Sequence, residues 1–308
     1  MENVGKNFKN LMSKNDLDRQ LGVLMETVLK DPEVYHFLKE HKDELTTEGI
    51  ERSYSELYEF VQEKRKFGKN EKDRVAPGYR PQLIASQGGV AVQYIPTTDL
   101  LEKRKQMELK QRITAVDMPK DIREADLKDF EPTKTRQQAI QEALAFIENY
   151  IEKPKAFHKA LYLQGPFGVG KTYLLGAIAH ALAKNGYPST LIHFPTFAVE
   201  MKNSIGNNTT ASKIEEIKRT SILMIDDIGA DSLSSWIRDD ILGVILQHRM
   251  QEELPTFFSS NFSMKQLEEE HLRISQRGED EPLKAKRIME RIKFLSKEIK
   301  MAGRNRRY

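Results

Sequence analysis

The sequence predicts an α/β protein: a parallel, three-layer P-loop domain preceded by a smaller, mainly helical domain with a short β-hairpin. Three observations carry this reading. The stretch Gly165-Pro166-Phe167-Gly168-Val169-Gly170-Lys171-Thr172 reads G-x-x-x-x-G-K-[ST], with the apolar run Ala160 to Leu163 before it and the helix-forming run Tyr173 to Ala183 after it. A second apolar run, Ser221 to Ile225, ends in Asp226-Asp227. Upstream, residues 3–62 place apolar side chains at three- and four-residue spacings, the period of helices that bury one face.

Composition bounds the rest. The chain has 308 residues, 39% apolar and 31% charged, and its net charge of +3 says little about a polyanionic partner. That length suits two domains. The absence of cysteine removes disulfides and thiolate metal sites and fits a reducing compartment. The N-terminal stretch MENVGKNFKNLMSK has no apolar h-region, and no apolar run is long enough to span a bilayer. A cytoplasmic protein with no membrane association is expected.

In the first domain, residues 1–98, the helical apolar positions are Phe8, Leu11, Met12, Leu17, Leu21, Leu24, Val28 and Leu29. Asp31-Pro32 opens a helix carrying Val34, Phe37 and Leu38, and Ser53 to Glu56 opens another carrying Leu57, Phe60 and Val61. Residues 64–98 are punctuated by Gly68, Pro77, Gly78, Pro81, Gly88, Gly89 and Pro96. Within them, Gln82 to Ser86 pairs with Val90 to Ile95 across Gln87-Gly88-Gly89. His36 and His41 are badly spaced for one helix face and read as solvated, so packing alone holds this loop-rich part. Residues 99–132 are charge-dense and read as a semi-rigid linker.

The second domain, residues 133–308, opens with a helix over Thr135 to Tyr150. Its loop glycines let successive N–H groups face a phosphate, and the following helix adds its positive end. Lys171 supplies a point charge and the Thr172 hydroxyl a ligand for Mg²⁺. The strand Ser189 to Phe194 precedes helices Thr196 to Ile205 and Ala211 to Lys218. Asp226, at the carboxyl end of a buried strand, is placed to hold Mg²⁺, and Asp227 to orient a water. An Asp pair there also caps helices, a purpose that Asp231-Ser232 already serves. The single strand between loop and acid pair implies one strand interposed in the sheet, as in motor-type ATPases. A long helix, Ser234 to Glu252, carries Trp236 as packing. The strand Thr256 to Ser259 then leads to Asn261, which reads as a γ-phosphate sensor or a turn residue. The tail, Lys284 to Tyr308, has ten basic residues against two acidic ones, net +8. Arg287 and Arg291 share one helix face, as a trans-acting arginine or a nucleic-acid patch.

GPFGVGKT, ILMIDDIG, PTFFSSN and AKRIMERI together resemble the AAA+ ATPases that load the bacterial replicative helicase, the DnaC-like loaders. The resemblance covers residues 120–308 and, more loosely, PGYRPQLI and VAVQYIP in the first half. It implies an ATPase with ATP and Mg²⁺ as cofactors, a replicative helicase hexamer docked on the first domain, and single-stranded DNA bound by the second. It also implies contact with other primosome proteins and homo-oligomerisation on the helicase. By motif, Gly165 to Thr172 with Tyr173 bind the nucleotide. Asp226 and Thr172 hold the metal, and Lys171, Asp227, Asn261 and Arg291 are the catalytic set. Arg287 shares the element of Arg291, and Arg304 is a second-sensor position. Relatives of this type often carry a Cys/His zinc cluster within the stretch matching 64–98; with no cysteine, zinc is not expected. Phe194, Phe197, Lys202 and Lys213 are either pore-facing DNA contacts or, for the phenylalanines, core. Three other readings remain: a transposition-helper ATPase on duplex DNA, a nucleotide-gated adaptor with negligible hydrolysis, and, more distantly, a small-molecule phosphotransferase.

Overall fold

In the computed structural model, residues 23–67, 69, 73–116, 118–230, 233–273, 275–276 and 279–306 are described. Phe8 to Leu21, Gly68, Asp231-Ser232, Arg307 and Tyr308, named above, lie outside the described residues. The chain forms two compact units, residues 1–106 and 107–308.

The first unit packs α1 (Pro32–Glu40), α2 (Thr47–Arg52) and α3 (Tyr54–Lys66) with a hairpin of β1 (Tyr79–Ser86) and β2 (Gly89–Pro96). Asp31 caps α1 by accepting from Glu33 N, with Pro32 at the first turn, as the sequence predicts. Val28, Val34, Leu57, Phe60, Leu83 and Val90 form its core. The hairpin is longer than expected because Pro81 pairs with Tyr94 instead of ending the strand. Its turn is Gln87-Gly88, with φ of 49° and 77°, the left-handed pair that a tight hairpin requires. Packing is not the only tie here. Ser53 Oγ donates to Gly49 O at 2.8 Å and accepts from Val90 N at 2.8 Å, fastening α3 to the hairpin. Glu63, buried, accepts from Val75 N at 3.0 Å and pairs with Lys66 at 3.0 Å. A side chain at Gly49 would fall 1.8 Å from Gly88 O, so that close approach needs glycine. His36 is exposed, whereas His41 is half-buried and stacks on Phe37 at 4.3 Å.

The second unit is built on a six-stranded parallel sheet. Its strands are β3 (Ile113–Val116), β4 (Ala160–Gln164), β5 (Ser189–His193), β6 (Ile222–Asp226), β7 (Thr256–Ser260) and β10 (Ser296–Lys300), in the order β10-β4-β7-β6-β5-β3. Two-residue strands β8 (Ser275–Gln276) and β9 (Glu279–Asp280) pair separately. One strand is interposed between β4 and β6, as expected, and it is β7, which comes last of the three in the chain. Central strands are buried on both faces, so they read as continuous apolar runs. Leu161, Leu163, Met224 and Phe257 face one core; Tyr162, Leu223, Ile225 and Phe258 face the other.

Helices cover both faces. α4 (Thr98–Arg112), which starts in the first unit and buries none of its residues, is not among them; they include α5 (Lys120–Arg123), α6 (Gln137–Glu152), α7 (Lys171–Lys184), α8 (Phe194–Ser204) and α9 (Thr210–Lys218). Further on lie α10 (Gly243–Gln251), α11 (Met264–Gln266) and α12 (Pro282–Leu295). The helix expected over Ser234 to Glu252 is divided: a π-helical stretch, Ile237–Leu242, precedes α10. That stretch contains the buried Arg238, which donates to Leu272 O at 3.1 Å and pairs with Asp239 and Glu281. Trp236 packs against the core. Phe194 and Phe197 are 2% and 3% exposed, so they are core and not DNA-facing. Phe194 leaves the strand because Pro195 sets the first turn of α8. Lys202 is exposed, and Lys213 pairs with Glu200. Residues 113–132 contribute β3 and the buried Met118, Ile122, Ala125 and Phe130 to this unit. No helix among the described residues is long and apolar enough to cross a membrane.

Arg249 is fully buried, with no carboxylate paired to it among the described residues. It donates to Thr256 Oγ1 (2.7 Å), Pro255 O (2.7 Å), Thr220 O (2.7 Å) and Lys218 O (3.2 Å), joining the segments that enter β6 and β7. Arg249→Met fills the volume but orphans these acceptors, and is expected to cost about 2–4 kcal/mol. Urea unfolding followed by Trp236, the only tryptophan, reads this unit directly. An unchanged midpoint would show that the guanidinium adds nothing net.

Candidate functional site

The carboxyl ends of β4, β5, β6 and β7 open on one cavity of about 620 Å³. That size suits a nucleotide. The loop from Gly165 to Gly170 takes φ values of 155°, 74° and 94° at Gly165, Gly168 and Gly170, and α7 starts at Lys171. A Cβ at Gly165 would sit 2.0 Å from Met301 O, and one at Gly168 would sit 1.8 Å from the Asn305 amide oxygen. The glycines therefore serve two needs: the turn itself, and the approach of the C-terminal segment behind it. Val169 is buried under the loop, leaving only its backbone to face a ligand, while Phe167 is exposed at the rim.

The predicted residues from the three central strands meet here. Lys171 Nζ donates to Gly165 O (2.8 Å), Pro166 O (3.0 Å) and Asn261 Oδ1 (2.9 Å). Asn261 Nδ2 donates to Asp227 Oδ1 at 3.2 Å, so one amide links the loop lysine to the second acid. Thr172 Oγ1 donates to both oxygens of Asp226, at 2.9 and 3.1 Å. Burial raises the Asp226 carboxyl above its usual pKa, opposed by bonds from Ser259 and Thr172. An all-oxygen pair of hydroxyl and carboxylate suits a hard divalent cation such as Mg²⁺, which would offset that burial. Asp227 has φ 59°, the left-handed region that side chains rarely adopt.

Arg291 is not in this cavity. It lies on α12, half-buried, donating to Gly243 O at 2.9 Å. With Arg287, Lys286, Leu283 and Met250 it lines a separate groove. Arg304 is exposed and does not line the cavity; Arg306 does, its backbone N donating to Gly168 O at 3.0 Å and its side chain pairing with Glu131.

Several lining residues escape sequence reasoning. Met118, Ile122 and Phe130 form an apolar wall, and the expected Tyr173, from α7, also lines the cavity, its ring 6.0 Å from that of Phe130. The Arg136 guanidinium lies 3.6 Å above Phe130 and donates to Glu131 O. His193 and Ser259 come from β5 and β7. Ser259 lies in the PTFFSSN stretch, whose resemblance gives it no role; the other unexpected residues stand in a charged stretch or inside a strand, so no local pattern marks them.

Gly165→Ala forces its Cβ into Met301 O. It is expected to weaken nucleotide binding at least tenfold, by displacing either the loop or the C-terminal segment. Equilibrium titration with a fluorescent ATP analogue checks this; wild-type affinity would mean that the segment yields freely.

Comparison with known proteins agrees with this geometry. A family model described as the primosomal protein DnaI N-terminus matches residues 1–94, and one described as IstB-like ATP binding protein matches residues 90–307. The replicative helicase loader DnaI of Bacillus subtilis is 37% identical over 317 aligned residues, covering all of both chains. A crystal structure of DnaI is 44% identical with TM-score 0.57, covering 65% of this chain and all of that one. A putative primosome component from Streptococcus pyogenes serotype M3 is 41% identical with TM-score 0.55, covering 66% of this chain and all of that one. The second unit thus has the AAA+ P-loop fold of an ATP-binding family. Since the likeness runs through both units and the loop, acid pair and amide converge in one cavity, this chain belongs to the DnaI family of replicative helicase loaders.

Proposed function

We propose that this chain loads the replicative helicase hexamer onto single-stranded DNA, in an ATP-dependent step of primosome assembly. The observation that carries the reading is full-length similarity to a helicase loader, spanning the helical unit as well as the ATP-binding one. The IstB-like family model begins only at residue 90, and the insertion-sequence ATP-binding protein of Pseudomonas fluorescens that this chain resembles is 29% identical over 85 residues, 28% of the chain.

In this reading the first domain, residues 1–98, docks on the helicase and residues 133–308 bind ATP; of the expected linker, residues 99–132, the part from 113 onward is built into the ATP-binding unit as β3 and cavity wall. Successive loop N–H groups and the α7 N-terminus hold the phosphates, and Lys171 adds its charge to the outer ones. Thr172 and Asp226 hold Mg²⁺, which supplies charge neutralisation on the phosphate oxygens. Asp227 orients the attacking water, and Asn261, already bonded to both Asp227 and Lys171, aligns it with the γ-phosphate. Arg291 or Arg287 completes a neighbouring copy's site when several chains assemble on the hexamer, since neither lines the cavity of its own chain.

Lys171→Ala is expected to reduce ATP affinity about a hundredfold or more while the full chain still captures its host's replicative helicase. Calorimetric nucleotide titration and a helicase pull-down measure the two separately. Absence of a helicase complex with wild type, alongside cooperative duplex binding, would favour the transposition-helper reading. Asp227→Ala is expected to lower kcat about a hundredfold with ATP affinity retained. Equal turnover in both proteins would make the chain a nucleotide-gated adaptor.

A further inference from the structure

Ser259 sits on β7 with 1% of its surface exposed, two residues before Asn261, and it lines the cavity. Its hydroxyl makes two bonds, and both go to the acid pair. Oγ donates to Asp226 Oδ1 at 2.5 Å and accepts from Asp227 N at 3.0 Å. The next contact continues the seam: Ile228 N donates to Ser259 O at 2.9 Å. Regular β6–β7 pairing ends at Ile225 with Phe258, so these bonds replace the ladder where the chain leaves the sheet.

That geometry has a consequence. Asp226 still belongs to β6, whereas Asp227 is left-handed at φ 59°, a backbone state that costs free energy in a non-glycine residue. The Ser259 hydroxyl is the side-chain group that ties both residues at this corner. It uses its one proton on the metal-side carboxylate and a lone pair on the N–H of the strained residue. Thr172 donates to the same Oδ1 at 2.9 Å and to Oδ2 at 3.1 Å, so the carboxylate is held from both α7 and β7. Asn261, the residue after β7, donates its Nδ2 to Asp227 Oδ1. β7 and the residue that follows it therefore fix the Asp226 carboxylate, the Asp227 backbone and the Asp227 side chain together.

We propose that Ser259 is a positioning residue for ATP hydrolysis, aiming Asp226 at the cation and holding Asp227 in the conformation that presents its carboxylate to the water. The proposal rests on the hydrolysis reading above and gives a role to a residue of the PTFFSSN stretch that the resemblance leaves without one. A polar strand residue of purely structural purpose would bond to the backbone of its neighbours, as Ser296 Oγ does to Ile292 O at 2.7 Å.

The test compares full-length Ser259→Ala with Ser296→Ala, an equally buried serine on β10. Three readouts are needed: kcat and KM for ATP, the Mg²⁺ concentration that half-saturates tightening of a fluorescent ATP analogue at equilibrium, and urea unfolding by Trp236. Ser259→Ala is expected to lower kcat about tenfold or more, keep nucleotide affinity at saturating Mg²⁺ within about twofold, and raise the Mg²⁺ midpoint severalfold. Ser296→Ala should lower the urea midpoint and move neither of the others. If alanine unfolds the unit, Ser259→Cys keeps the volume with a poor hydrogen-bonding group and should show the same losses. Wild-type kcat and Mg²⁺ midpoint in either Ser259 variant would overturn the proposal, as would losses in Ser259→Ala matched by Ser296→Ala. Absence of turnover in the wild type would fail the hydrolysis reading alone, because the Mg²⁺ midpoint still decides what Ser259 does.

Discussion

Parallel pairing of β4, β7 and β6 at the centre of the sheet is the constraint from which the site follows. Parallel strands bring their carboxyl ends to the same edge, so residues far apart in the chain arrive together. Gln164 pairs with Ser260 and Ile225 with Phe258. The residues just beyond those positions are Gly165, Asn261 and Asp226, and they line or border one cavity. A one-residue slip of β7 would exchange Phe257 and Phe258 between the two cores and carry Asn261 out of reach of Lys171 and Asp227. Packing of the two aromatic rings therefore enforces the register on which the chemistry depends.

Buried polar groups reinforce that register. Arg249 joins the entrances of β6 and β7 at one end, and Ser259 joins their exits at the other. In the first unit Ser53 and Glu63 play a similar part, tying helix α3 to the hairpin and to the chain ahead of it. Each group is costly to bury and is retained with its partners satisfied, which makes these contacts specific in geometry where apolar packing alone is tolerant. The C-terminal segment adds one more tie: it runs so close behind Gly165 and Gly168 that only glycine fits, and Arg306 at its end joins the cavity wall through Glu131.

The sequence by itself determined the phosphate loop, the acid pair, the central strands β4 to β7 and most helices. These are short-range patterns: a strand buried on both faces must be apolar, and a phosphate loop must place its glycines, lysine and threonine in a few consecutive residues. It also determined that Asn261 would follow the strand beside Asp226, since strand and polar terminus are contiguous. Edge strands β3 and β10 were illegible because Ile113 to Val116 is only four residues long and Ser296 to Lys300 is mostly charged. The tertiary structure alone decided that Phe194 and Phe197 are core, that Arg306 and not Arg304 reaches the cavity, and that Arg136 and Phe130 form its wall. It alone decided the left-handed turn at Asp227 and the hydroxyl beneath it. Those outcomes depend on pairs separated by tens of residues, such as Ser259 with Asp226, whose meeting is set by sheet order and register, and neither is written in any local spacing.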